Sequence, residues 1–160
     1  MRLIKPSFEI WKQEPGLEGI YKAIERAGRV CYKSEDKITE DSAKPFVDRM
    51  VKSKHGSVLE HGTVYLDIPY KDQDSFNTES FKYETNPYSK ATEVPPNVVH
   101  KKWHLMVSTN YRVLVENDWL DDLKYICKPT EFHEKRITAH FICDRGILAE
   151  FTRHKILCVA

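Results

Sequence analysis

The sequence predicts a mixed α/β (α+β) domain in which a small sheet is flanked by helices. Three observations carry this expectation. Two stretches near the N-terminus repeat apolar residues at helical spacing, and three later stretches alternate at strand spacing. The 160 residues are 41% hydrophobic and 31% charged, which suits one domain with a true core and a well-solvated surface. Residues 1–160 therefore read as a single domain.

The first helical pattern runs from Leu17 to Gly28, with Leu17, Ile20, Ile24 and Ala27 on one face and Gly28 as a stop. A second covers Asp41 to Lys54 through Ala43, Phe46, Val47, Met50 and Val51; Thr39 or Asp41 is the expected cap, and Pro45 sits early, where a first turn tolerates it. His55 to His61 reads as a turn feeding a strand from Thr63 to Tyr70, with Val64, Leu66 and Ile68 on one face and Tyr65 and Asp67 on the other. Lys71 to Asn97 is polar and broken by Pro87, Pro95 and Pro96. It is expected to be a long excursion with a hairpin near Asn86 and Pro87, and a connection of that length points to function or an interface.

Further along, Trp103 to Thr109 reads as a strand and Tyr111 to Asn117 as a short helix. Trp119 to Cys127 reads as another helix, capped by Asp118 and followed by Pro129. Arg136 to Cys143 is a strand through Ile137, Ala139 and Phe141. Asp144 then caps a last helix that starts near Gly146 and turns Ile147, Leu148 and Phe151 inward. The sheet is expected to form from the Thr63, Trp103 and Arg136 regions, in an order the loop lengths leave open. No stop signal follows the last helix. Its apolar end, Ile156 to Ala160, reads as a shortened chain or, less readily, as a helix end docked in a core.

Several function classes are disfavoured. The formal net charge of +1 gives no global field for nucleic acid. No run reaches the ~18 apolar residues of a membrane span, and Met1 to Phe8 lacks the apolar core of a signal peptide, so a cytoplasmic protein is expected. Cys31, Cys127, Cys143 and Cys158 form no C-x-x-C pair and are expected to be free thiols packed in the core. Gly-rich dinucleotide and phosphate loops and the G-x-S-x-G elbow are missing from the sequence.

Two clusters of chemistry-bearing residues remain. Glu150, Arg153, His154 and Lys155 cluster on the last helix, with Glu150, Arg153 and His154 on neighbouring faces, a set that suits an anionic ligand or, more blandly, a solvated basic face with a Glu150–Arg153 pair. Cys158 beside Arg153 and His154 is a stabilised thiolate or, more simply, a structural thiol. His55, Ser57, Glu60 and His61 fall within one turn. They suit a ligand, or else turn chemistry in which Ser57 bonds local backbone and Glu60 pairs with His61. No metal site is expected, because H-E-x-x-H is absent and no third ligand joins His55 and His61.

The stretch Glu150 to Cys158, E-F-T-R-H-K-I-L-C, resembles the R-H-R-x-x-S signature of flavin-dependent thymidylate synthases, and His55 to His61, H-G-S-V-L-E-H, resembles their H-E-[ST]-x-[FL]-E-H element. Ala27 to Tyr32 is similar to the early A-x-R-x-[SC] element, so three elements stand in family order. The resemblance implies the fold of that family with its C-terminal part missing and an insertion at 71–97. It implies reductive methylation of deoxyuridine monophosphate (dUMP), with FAD as cofactor and methylenetetrahydrofolate and NADPH as co-substrates, in a homotetramer. It places His55, Ser57, Arg153, His154 and Lys155 at flavin-contacting positions and Glu150 and Arg153 at nucleotide-contacting ones, with no catalytic residue identifiable within the chain. Lys155, Cys158 and Gly56 depart from the pattern, standing where the family has arginine, serine and commonly an acid, and the final S-x-R of the motif is absent. A rival expectation from another class is a non-catalytic remnant or interaction module that binds a nucleotide or flavin weakly, or pairs with a longer relative.

Overall fold

A computed structural model describes residues 5–70, 80–96 and 101–152. Strand β1 (Ser7–Trp11) precedes helix α1 (Gly16–Cys31), and a short 3-10 turn (Glu35–Lys37) leads to α2 (Ala43–Lys52) and the single turn α3 (Gly56–Leu59). Strands β2 (Thr63–Tyr70), β3 (Lys90–Val94) and β4 (Trp103–Asn110) follow. Then come α4 (Tyr111–Glu116), a 3-10 segment (Leu120–Tyr125), β5 (Thr138–Ile142) and α5 (Arg145–Thr152).

Strands β2, β4 and β3 form an antiparallel sheet in that order. Val64, Leu66 and Ile68 of β2 are buried with Leu105 and Val107 of β4, while Tyr65 and Asp67 are half-buried on the other face, as the alternation in β2 predicts. Against this sheet pack Ile20 and Ile24 of α1, Phe46 and Val47 of α2, Val58 and Leu59 of α3, and Leu114 of α4, which form one core cluster. The apolar faces expected for α1 and α2 are those that face the core, with Leu17 and Val51 half-buried at its margin and the rest buried.

Several expectations are corrected. Gly28 does not stop α1, which continues to Cys31; the glycine is instead an internal contact point. A Cβ there would lie 2.5 Å from Phe46 Cζ and 2.8 Å from Val58 Cγ1, so only hydrogen at this position lets α1 meet α2 and α3 so closely. The N-cap of α2 is Ser42 rather than Thr39 or Asp41. Residues 55–61 contain the helical turn α3, not a bare turn. Asp118 has a φ of 59°, in the left-handed region, and does not cap the next element; Leu120–Tyr125 is a 3-10 segment, not the α-helix expected over Trp119 to Cys127, and its N-cap position is Trp119.

Within the excursion, residues 80–96 are described and carry regular structure. No hairpin forms at Asn86 and Pro87. Residues 80–84 are helical, a turn follows, and β3 runs back along β4. Tyr83 is fully buried, and Asp122 accepts from both the Tyr83 hydroxyl at 2.5 Å and Lys82 Nζ at 2.6 Å, which fastens the segment to the 3-10 element.

The Arg136 region does not join the central sheet. Strand β5 pairs antiparallel with β1, Ser7 against Ile142 through Trp11 against Thr138, in a separate two-stranded ribbon. Asp144 caps α5 as expected, its Oδ1 accepting from the amides of Gly146 (2.7 Å) and Ile147 (3.1 Å). Ile147, expected inside, is exposed. Cys31 is exposed and Cys127 and Cys143 are half-buried, so none of the three is the fully buried packing thiol expected; Cys158 lies outside the described residues.

Replacing Gly28 with alanine forces a methyl group onto a Phe46 ring that is itself fully buried. The expected cost is about 1–3 kcal/mol, read as a lower urea midpoint with an unchanged m-value.

Candidate functional site

Where α1 ends beside α2, the surface carries an open cleft of about 330 Å³ lined by Arg29, Tyr32, Ser34, Lys37, Phe46, Arg49 and Met50. Its base is a buried ion pair. Glu25, 2% exposed, sits one turn before Arg29 and accepts from Arg29 Nε at 3.1 Å and Nη2 at 2.9 Å. The second carboxylate oxygen of Glu25 accepts from Ser42 Oγ at 2.8 Å, which ties α1 to the start of α2. The carboxylate is thereby satisfied and Arg29 is neutralised without losing its place in the wall.

Over this base lie an aromatic floor and further charge. The guanidinium carbons of Arg29 and Arg49 lie 4.8 and 5.2 Å from the Phe46 ring centroid, within cation–π range. Lys37 and Arg49 are exposed and have no carboxylate partner among the described residues. A cleft with an aromatic floor, a tyrosine wall and two uncompensated cations is suited to a planar ring that carries negative charge.

His55 joins this cleft through Tyr32. The Tyr32 hydroxyl bonds His55 Nδ1 at 2.5 Å, and the two rings stack with centroids 6.3 Å apart. With the phenol donating, Nδ1 is the acceptor and Nε2 keeps its hydrogen, directed away from Tyr32. Ser57, on α3, is exposed, and its hydroxyl makes no hydrogen bond among the described residues. The expected bond from Ser57 to local backbone is therefore not formed. Glu60 does not pair with His61 either; its partner is Arg112 of α4. Glu150 is exposed on α5 and is not part of the cleft wall. Arg153, His154 and Lys155 lie outside the described residues.

His61 points inward. Its Nε2 is buried with no partner among the described residues, and burial holds the imidazole below its ordinary value of 6.5, with Glu60 opposing in part. Burial likewise pushes the Cys127 thiol up to about 11, so it stays protonated at neutral pH and is no nucleophile.

Sequence reasoning missed the cleft itself. The Glu25–Arg29 pair has a legible signal, an acid followed four residues later by arginine on a helix, but that pattern is usually a solvated surface pair. Nothing local announces that Ser42 and Phe46 close over it.

Residues 17–71 match the family model described as thymidylate synthase complementing protein. The matched stretch resembles the flavin-dependent thymidylate synthases. It runs from the start of α1 to the end of β2 and so contains every cleft residue together with His55, Ser57, Glu60 and His61. Neither a curated protein nor a solved structure matches the chain. Among the described residues no helix is long and apolar enough to cross a membrane, and no His/Cys/Asp/Glu cluster suits a metal ion.

Two outcomes are expected. Glu25→Ala strands Arg29 as a mostly buried, unpaired cation and should cost about 3–5 kcal/mol in urea unfolding. For His61 the folded pKa lies below the unfolded one, so its contribution is complete above about pH 6.5 and is lost as pH falls through the lower folded value. Thermal melts should therefore show Tm falling on acidification below about pH 6.5, with a shallower fall in His61→Gln.

Proposed function

We propose that this chain is a homologue of the flavin-dependent thymidylate synthases and that the cleft beside Tyr32 and His55 takes part in holding FAD for reductive methylation of dUMP. The observation that carries this reading is the coincidence of the family match at 17–71 with the elements that build the cleft.

The residues present fit such a cofactor. Tyr32 offers exposed aromatic surface, Lys37 and Arg49 offer uncompensated positive charge for a diphosphate, and the Ser57 hydroxyl and the His55 ring offer polar contacts. The flavin, when bound, supplies the hydride chemistry, with NADPH as reductant and methylenetetrahydrofolate as the source of the carbon. The chain's own part is to bind and orient. The Tyr32 hydroxyl holds the His55 ring in place, and Arg49 and Lys37 draw the anion. Arg153, His154 and Lys155 extend the flavin contacts, and Glu150 with Arg153 receives dUMP. By the same reading the working form is a homotetramer whose sites are completed where subunits meet.

The test is an FAD titration of the purified chain, with and without dUMP, followed in the flavin absorbance band. Saturable binding that tightens with dUMP is expected, and Arg49→Ala and His55→Ala should each weaken it by about tenfold, the value of one charge-assisted contact. No saturation at high micromolar FAD, in either condition, would sink the proposal and leave a non-catalytic module as the surviving reading.

A further inference from the structure

The residue before Ser57 is glycine, and the ends of two α4 side chains lie close over it. A Cβ at position 56 would lie 2.8 Å from Arg112 Nε and 3.0 Å from Glu116 Oε1. The ends of two α4 side chains occupy this place, so a larger residue at position 56 would have to displace them. Arg112 donates from Nε to Glu116 Oε1 at 2.7 Å, one turn along α4, and from Nη1 to Glu60 Oε1. Glu60 is the residue that terminates α3, and its side chain is mostly buried. One guanidinium therefore bridges two carboxylates on two elements, using the fork geometry that lysine lacks.

The bridge has a firm anchor. Helix α4 buries Tyr111, Val113 and Leu114. Its first turn is capped by Asn110 Oδ1, which accepts from the Val113 amide at 3.0 Å. The Tyr111 amide donates to the Gly62 carbonyl at 2.8 Å, just past the α3 turn. By contrast α3 is a single helical turn between His55 and Glu60, too short to hold its own geometry. Arg112 and Glu116 also lie beyond the residues that match the family model.

We infer that Arg112 is a positioning residue: by bridging Glu60 and Glu116 over Gly56, it fixes the α3 turn that presents His55 and Ser57. That the turn is presented to a flavin rests on the proposed function; that Arg112 fixes it does not. The side chain is about a third exposed, so its variants are expected to fold.

Native-state hydrogen exchange of the whole chain separates the two claims. Arg112→Ala should accelerate amide exchange over residues 55–61 by about tenfold or more while β2, β4 and the centre of α1 keep their protection. Arg112→Lys should stay close to the alanine variant, since an ammonium cannot serve both carboxylates in this geometry. Gly56→Ala should accelerate the same amides by displacing the bridge, and adding Arg112→Ala should produce no further acceleration. A uniform rise in exchange across the molecule, full rescue by lysine, or additive effects in the double variant would each overturn the inference.

FAD affinity is then read for the same variants at a temperature where all are folded. If the unaltered chain binds FAD, Arg112→Ala should weaken it by about fivefold or more, and equal affinity would overturn the role of Arg112 toward the site. If the unaltered chain binds no FAD, the proposed function falls, and the exchange results alone decide whether the bridge sets the turn.

Discussion

Helix α1 lies against α2 and α3 with no space for a side chain at Gly28, and much of the surrounding architecture follows from that distance. With Phe46 seated directly on the glycine, its ring becomes the floor over which Arg29 and Arg49 lie. The same approach brings Ser42 within bonding distance of Glu25, so that a carboxylate at 2% exposure has partners for both oxygens. It also seats Val58 of α3 against α1, which fixes where His55 and Ser57 begin. Move the helices apart by the width of a methyl group, and the Ser42–Glu25 bond, the aromatic floor and the α3 turn all lose their present contacts.

How much of this could be read from residues alone depends on whether a feature is periodic. Helices α1 and α2 and strands β2 and β4 were legible because Ile20, Ile24, Phe46, Val47, Val64, Leu66 and Leu105 recur at the spacing of the element they build. The Asp144 cap was legible because an acid before a helix has one common use. Strand β1 was not. Phe8 and Ile10 are exposed, and the pairing of β1 is with β5, at the far end of the described chain, so no local pattern marks it. Strand β3 was hidden for a related reason: Lys90, Thr92 and Glu93 are exposed, and only Ala91 and Val94 turn toward the protein. An edge strand with one solvated face carries little apolar signal.

The site divides along the same line. His55 and Ser57 were found because a motif of fixed spacing contains them. Arg49, Lys37 and Phe46 were not, because they come together only when α2 folds beside the end of α1. The expected pairing of Glu60 with its chain neighbour His61 failed for an equally physical reason. An arginine arriving from another segment brings a full positive charge and a charge-assisted donor to a mostly buried carboxylate, whereas a buried neutral imidazole offers weak electrostatic attraction. Local sequence proposes the nearest partner, and tertiary structure supplies a better one.

The ribbon that joins Ser7–Trp11 to Thr138–Ile142 has a consequence for how the molecule comes into being. Its two strands are separated by almost every other element, so the loop closed by their pairing is nearly the whole described chain, and the entropy of closing it must be met before any ladder bond forms. During synthesis β1 emerges first and stays without its partner while α1 through α4 take shape. Over that interval Phe8 and Ile10 form part of an open strand edge in a crowded solution. Pairing of β1 with β5 is thus a late event, and the interval before it is when the nascent protein is most exposed to wrong strand partners.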